Sequence, residues 1–200
     1  TATAHAGEVL AAAADAALDG ARGNSGAIFA QFFQGLAASL GDTARLGPAD
    51  LARGLAAADA AARSALAEPR EGTVLTVMRA AAGAIATDRL PPDADFAAAG
   101  SALLAAARPA LASTRSTLDS LRAADVEDAG ALGLVLLFEG AAAALEPGTV
   151  VRPVTDAATD LPLRAHLDHA PGAEGGHRFC TECVVTGEAI DSAALRTALA

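Results

Sequence analysis

The stretch Gly20-Ala21-Arg22-Gly23-Asn24-Ser25-Gly26, followed at once by Ala27-Ile28-Phe29-Ala30-Gln31-Phe32-Phe33, decides how the chain reads. Three glycines, an Asn and a Ser stand between two long apolar patterns of helical period. Asn24 or Ser25 is placed to cap the second helix, and the glycines admit another backbone or a ligand at close range. The first amides of a helix lack intrahelical acceptors and carry partial positive charge, so such a turn is a ready cradle for an anion. A tight helix–helix turn would use the same residues for packing. Taken alone, the motif does not separate these two readings, because short glycine motifs recur by chance.

Working outward, residues 3–19 form an Ala-rich pattern with Val9, Leu10 and Leu18 among its apolar positions and Glu8, Asp15 and Asp19 on others. After the turn, Ile28, Phe32, Leu36 and Leu40 recur every four residues, with Phe29 and Phe33 beside them, which predicts a helix over 25–40 with a broad apolar stripe. Gly41-Asp42 ends it. Pro48 opens the next helix, which should run to about Ala67 before Pro69. Further helices are expected over 73–86 and 94–112, the second shortened or kinked by Pro109, with Leu90-Pro91-Pro92-Asp93 as a hard break between them. Ser113-Thr114-Arg115-Ser116-Thr117 reads as a polar connection into a short helix over 118–124. Residues 131–145 are apolar almost all round, which predicts a centrally buried helix.

Composition then changes. From Glu146 to Gly176 the chain is rich in Pro, Gly, Asp and Thr and reads as a linker. Residues 177–187, His-Arg-Phe-Cys-Thr-Glu-Cys-Val-Val-Thr-Gly, have the β-branched character of a strand, and Asp191 or Ser192 caps a last helix. A single strand needs partners, so residues 177–200 read as the start of an α+β domain.

The chain is 52% hydrophobic yet has no Trp or Tyr, so Ala and Leu must build its core, and Ala-rich helices can pack closely. A formal net charge of -10 argues against a nucleic-acid surface, which needs clustered Lys and Arg. Asp, Arg and Gly interrupt the apolar runs, so no transmembrane segment is expected, and no basic region followed by an apolar core marks a signal peptide. Two cysteines give no disulfide framework and make a reducing cytoplasm the default.

Three further clusters bear on chemistry. Glu71-Gly72-Thr73-Val74-Leu75-Thr76 joins a helix start to small and hydroxyl residues, and also reads as an ordinary N-cap. Asp125-Val126-Glu127-Asp128-Ala129-Gly130 sets three carboxylates beside a glycine turn, which also suits a solvated acidic loop and helix cap. His177, Cys180 and Cys183 include a Cys-x-x-Cys spacing, but a second pair for zinc is absent, and on a strand the two thiols would face opposite sides.

Together these segments resemble a family. Gly20–Gly26, then Glu71-Gly72-Thr73-Val74-Leu75-Thr76-Val77, then Asp128-Ala129-Gly130 with Gly133-Leu134-Val135, follow the order and approximate spacing of a DhaL-type kinase domain, in the version found in bacterial fatty acid kinase ATP-binding subunits. Cys180-Thr181-Glu182 is similar to a strand near the start of that protein's middle domain. The resemblance implies an all-α, antiparallel helical barrel over residues 1–146 with its first helix missing, a linker over 147–176 and the start of a middle domain over 177–200. It implies ATP bound at one end of the barrel: Gly23, Asn24, Ser25 and Gly26 on the phosphate side, Thr73 and Val74 at the helix start beside the nucleotide, and Asp128, Ala129 and Gly130 as a second wall. Arg115 stands near a nucleotide-contacting Arg of dihydroxyacetone kinase relatives.

The implied reaction passes the ATP γ-phosphate to a fatty acid carboxylate presented by a lipid-binding partner of the DegV type, giving an acyl phosphate; homodimerisation stays open. In the family, Mg2+ is held by an Asp-Gly-Asp-Thr-Gly loop that these residues do not contain, and Glu8, Asp15 and Asp19 have the wrong spacing to replace it. These residues by themselves are therefore expected to be inactive. A non-catalytic helical interaction domain and a glycerone-kinase-type subunit are the alternatives.

Overall fold

The computed structural model describes residues 5–91, 93–145 and 190–199. The chain divides into two compact units, Thr1–Pro153 and Val154–Ala200. In the first, α1 (Ala6–Gly20), α2 (Gly23–Leu40), α3 (Pro48–Ser64), α4 (Val74–Ala84), α5 (Phe96–Thr117), α6 (Asp119–Ala124) and α7 (Ala129–Ala144) follow one another through short turns. In the second, α8 spans Ser192–Leu199, and the Asp191 carboxylate accepts from the amides of Ala193 and Ala194, as a capping residue there should.

Consecutive helices α1 to α5 pack each on the next, and α7 returns to lie against both α4 and α5. The core follows from that order. α4 buries Val74, Leu75, Val77, Met78, Ala81 and Ala82 because α3, α5 and α7 surround it. Phe32 of α2 meets Phe33 edge-on at 5.7 Å and Phe138 of α7 at 6.5 Å, so the aromatic stripe serves as core. Pro48 sits in the first turn of α3, where the Gly47 amide donates to Asp50 Oδ2 at 2.9 Å.

The expected fold class needs correction. Every regular element among the described residues is a helix and no strand forms among them, so the described fold is all-α and not α+β. The expected strand at 177–187 and the His177, Cys180 and Cys183 cluster lie outside the described residues. The barrel is not seen either. Staves of a closed ring pack on two neighbours each, whereas here α4 packs on three helices and the substantial packing of α1 is on α2 alone.

Two local expectations also change. α5 does not stop near Pro109 but continues to Thr117. A helix-interior proline costs about 3 kcal/mol, and burial of Ala107, Leu111 and Thr114 beyond or beside it offsets that cost. The polar residues expected as a connection stay helical because their hydroxyls donate back along the helix: Ser113 to the Ala110 carbonyl, Ser116 and Thr117 to that of Ser113. By length and composition α5 would also pass for a membrane span, unlike the expectation from sequence, yet its apolar face is packed on α4 and α7.

α7, expected at the centre, lies on the outside. Gly130, Ala131, Leu134 and Val135 are buried, while Leu132, Leu136 and Leu137 are exposed. Its apolarity is uniform, but among the described residues its substantial packing is on α4 and α5 alone.

Candidate functional site

The N-termini of α2, α4 and α7 come to one end of the first unit. Antiparallel succession brings the α1–α2, α3–α4 and α5–α6–α7 turns to the same side, and direct contacts link them. A Cβ on Gly130, at the start of α7, would lie 3.0 Å from Ser25 Oγ and 3.3 Å from Asp128 Oδ1. Gly130 and Ser25 are thus close neighbours, and a side chain at Gly130 would require the Ser25 hydroxyl to give by a few tenths of an ångström. Gly72, in the α3–α4 turn, has φ +83°, and a Cβ there would meet Thr117 at 2.6 Å. A glycine is required on both counts.

The three helix starts differ in how their first amides are satisfied. Thr73 caps α4, its Oγ1 accepting from the Leu75 amide at 3.3 Å and donating to the Arg70 carbonyl at 2.9 Å. Asp128 caps α7, with Oδ1 accepting from the Ala131 amide at 2.7 Å. α2 starts two residues before the expected position, after Arg22, and no side chain caps it. Asn24 and Ser25 therefore lie within its first turn and do not cap it. Both are exposed at the uncapped, positively polarised end of an 18-residue helix.

The expected site residues fall into distinct physical roles. Gly23 (φ +66°), Asn24 and Ser25 are open to solvent, as is Ala129, while Thr73 and Asp128 are half-buried. The Val74 side chain belongs to the core. A Cβ on Gly26 would come within 3.2 Å of the Ala21 backbone, so Gly26 packs the turn closed. Arg115 reaches Asp125 at 3.4 Å and Glu127 at 3.9 Å on the same end, with its side chain half-exposed.

A charged network steadies the α3–α4 side. Arg63 donates to Asp59 Oδ1 at 2.9 Å, to Glu71 Oε1 at 2.8 Å and to the Leu75 carbonyl at 2.7 Å. Glu71 Oε2 accepts from the Thr76 hydroxyl at 2.6 Å, and Thr76 Oγ1 in turn accepts from the Gly72 amide at 2.7 Å. The Thr76 hydroxyl, with Arg63 and Arg79 behind it, holds the Glu71 carboxyl below its ordinary pKa against the opposing effect of burial.

Two residues missed by sequence reasoning complete this end, Thr114 and Thr117. Thr114 is fully buried, donates to the Leu111 carbonyl at 2.7 Å and accepts from the Asp128 amide at 3.0 Å. The hydroxyl-rich tract 113–117 was a signal for them, but one that reads equally as a loop. A broad open groove lies elsewhere, between the start of α5 and the end of α7, lined by Phe96, Leu104, Arg108, Ala142 and Leu145 among others. None of the expected site residues lines it.

The carboxylates near the three helix starts are already engaged: Asp128 in its cap, Glu71 with Arg63, Arg79 and Thr76, Asp125 and Glu127 with Arg115. No group of three or more His, Cys, Asp or Glu side chains gathers among the described residues as a metal site. This end is suited to an anion, and the residues present do not fit Mg2+ by themselves.

Comparison with known proteins identifies relatives of this chain. Residues 1–143 match the DAK2 domain family. Protein YloV of Bacillus subtilis is 32% identical over 184 residues, covering 90% of this chain and 33% of YloV. Uncharacterized protein SSP1546 of Staphylococcus saprophyticus is 35% identical over 133 residues, or 66% of this chain and 24% of that protein. The chain thus spans about a quarter to a third of the length of these curated relatives. With the family match running from the first residue to the end of α7, across every helix that builds the three-start end, the chain belongs to the DAK2 domain family.

Proposed function

We propose that the end formed by the starts of α2, α4 and α7 binds the phosphates of ATP, and that the chain is the nucleotide-binding part of a phosphotransferase. The observation that carries this reading is the uncapped first turn of α2, with Asn24 and Ser25 exposed, set against Asp128–Gly130 at the start of α7. Unsatisfied helix amides favour bound anions without any local cation. In this reading Gly23, Asn24, Ser25 and Gly26 form the phosphate-side turn, Thr73 and Val74 flank it, and Asp128, Ala129 and Gly130 form the facing wall. The acceptor is a fatty acid carboxylate presented by a lipid-binding partner of the DegV type, and the product an acyl phosphate, in the cytoplasm. Phosphoryl transfer asks little covalent chemistry of the protein, so this chain's contribution is to orient the triphosphate and neutralise its charge with backbone dipoles. Mg2+ is the cofactor expected of such a kinase, and the carboxylates at this end, engaged with their own neighbours, would not hold it by themselves.

Asn24→Asp tests the site. The two side chains are nearly isosteric, and a carboxylate in the first turn of a helix is favourable by about 0.3–1 kcal/mol. The same charge repels a triphosphate. The expected result is at least a tenfold loss of affinity for a non-hydrolysable ATP analogue, read by calorimetry, with Tm unchanged or slightly raised. Unaltered affinity in the variant would remove the anion from this end.

One observation favours a second reading, a helical interaction domain without catalysis: the outer face of α7 presents Leu132, Leu136 and Leu137 to solvent. An absence of nucleotide binding by the wild-type protein would leave that reading in place.

A further inference from the structure

The last turn of α5 is polar in sequence, yet it carries the one fully buried hydroxyl side chain among the described residues, Thr114. A buried hydroxyl is costly unless its bonding capacity is used. The donor half is satisfied inside the helix by Leu111, as the donors of Ser113 and Ser116 are by their own preceding carbonyls. The acceptor half does something the neighbours do not. It receives the amide of Asp128, fourteen residues on, at the start of α7. One turn later Thr117 forms the surface against which Gly72 packs so closely that any side chain there would collide. The end of α5 is thus wedged between the α3–α4 turn and the start of α7.

We propose that Thr114 is a positioning residue for the nucleotide site: through its bond to the Asp128 amide it fixes the Asp128–Gly130 wall against Ser25 and so sets the gap that a phosphate enters. It touches no ligand itself. The inference rests on the reading of this end as the nucleotide site. Its physical core is that the Asp128 amide has to have an acceptor. Without the hydroxyl, that amide is left unpaired beside a buried position, and the turn must shift or admit water to satisfy it.

The test uses Thr114→Val, Thr114→Ser and, as a stability control in the core of α3, Leu55→Ala. Each is made in the full-length protein and assayed for non-hydrolysable ATP analogue binding, Tm, and amide hydrogen exchange at Asp128 and Ala131. Thr114→Val keeps the branched shape and removes both bonds; it is expected to weaken the analogue at least tenfold and to speed exchange at both amides. Thr114→Ser keeps both bonds and should return affinity and exchange to within about twofold of wild type. Leu55→Ala lowers Tm without moving either readout. The proposal is overturned if Thr114→Val binds as wild type does, or if Leu55→Ala weakens binding equally. Should the wild-type protein bind no analogue, the nucleotide reading itself falls and exchange decides alone: unchanged protection of Asp128 in Thr114→Val then overturns the positioning role too.

Discussion

α4 and α7 are both short apolar helices, and the fold treats them in opposite ways. α4 has α3, α5 and α7 around it, and Leu75, Val77 and Met78 are at most 1% exposed. Among the described residues α7 packs substantially on α4 and α5 alone, and Leu136 is 56% exposed. Their sequences hardly predict this. α7 is the more uniformly apolar of the two and by periodicity alone belongs at the centre. Apolar content states how much surface a helix would gain by hiding, while its neighbours settle how much is hidden.

Truncating one leucine on each helix puts this contrast under the greatest strain. Leu75→Ala should cost about 2–5 kcal/mol, the usual range for a fully buried leucine. Leu136→Ala should stay within about 0.5 kcal/mol, as surface changes do. Urea unfolding of both variants gives the ratio. Comparable losses at the two positions would mean that the outer face of α7 is covered in solution.

A finer probe uses the two glycines on α7 beyond its first turn. A Cβ at Gly133 or Gly140 would meet nothing within 4 Å. Neither glycine is needed for packing, and each costs the helix roughly 0.5–1 kcal/mol relative to alanine. Gly133→Ala and Gly140→Ala should therefore each raise stability by about that amount. A loss of stability at either would reveal a close neighbour there, and would set α4, enclosed within this chain, against an α7 enclosed by something else.

The smallest expected effect concerns the lead-in to α4. The Glu71 carboxyl is held below its ordinary pKa, so the folded state binds its proton less readily than the unfolded chain does. Its contribution is then fully present above the unfolded value, near 4.3, and is lost as pH falls through the lowered folded value. With the side chain 46% exposed, solvent screening keeps that contribution under about 1 kcal/mol. Glu71→Gln should be slightly less stable than wild type at neutral pH, and the gap should narrow as pH falls below the unfolded value and through the lowered folded one. A gap that does not narrow as the carboxyl is protonated would assign the effect to lost hydrogen bonding to Thr76 and not to charge.

Much of the helical layout is legible in the sequence. Pro48 and Gly41 mark real helix limits, because backbone chemistry acts locally. Asp128 and Thr73 cap the helices expected of them. Gly26 is legible as a glycine that something must approach closely, but not as one approached by Ala21 of the same turn. Pro109 misleads, since proline raises the local cost of a helix without setting what burial on either side returns. The run 113–117 misleads for a related reason: hydroxyls that favour loops when unpaired also bond to the carbonyls of their own helix.

Local chemistry was sufficient for most of the helices and for the caps Thr73 and Asp128, since capping and apolar period are decided over a few neighbouring residues. Tertiary packing was needed to bring the starts of α2, α4 and α7 to one end, to let Thr114 hold Asp128 there, and to enclose α4 while leaving α7 open on one side. Those outcomes depend on contacts between residues distant in the chain, such as Ser25 with Gly130 and Gly72 with Thr117, and local backbone preference carries no information about which distant surface a helix will find.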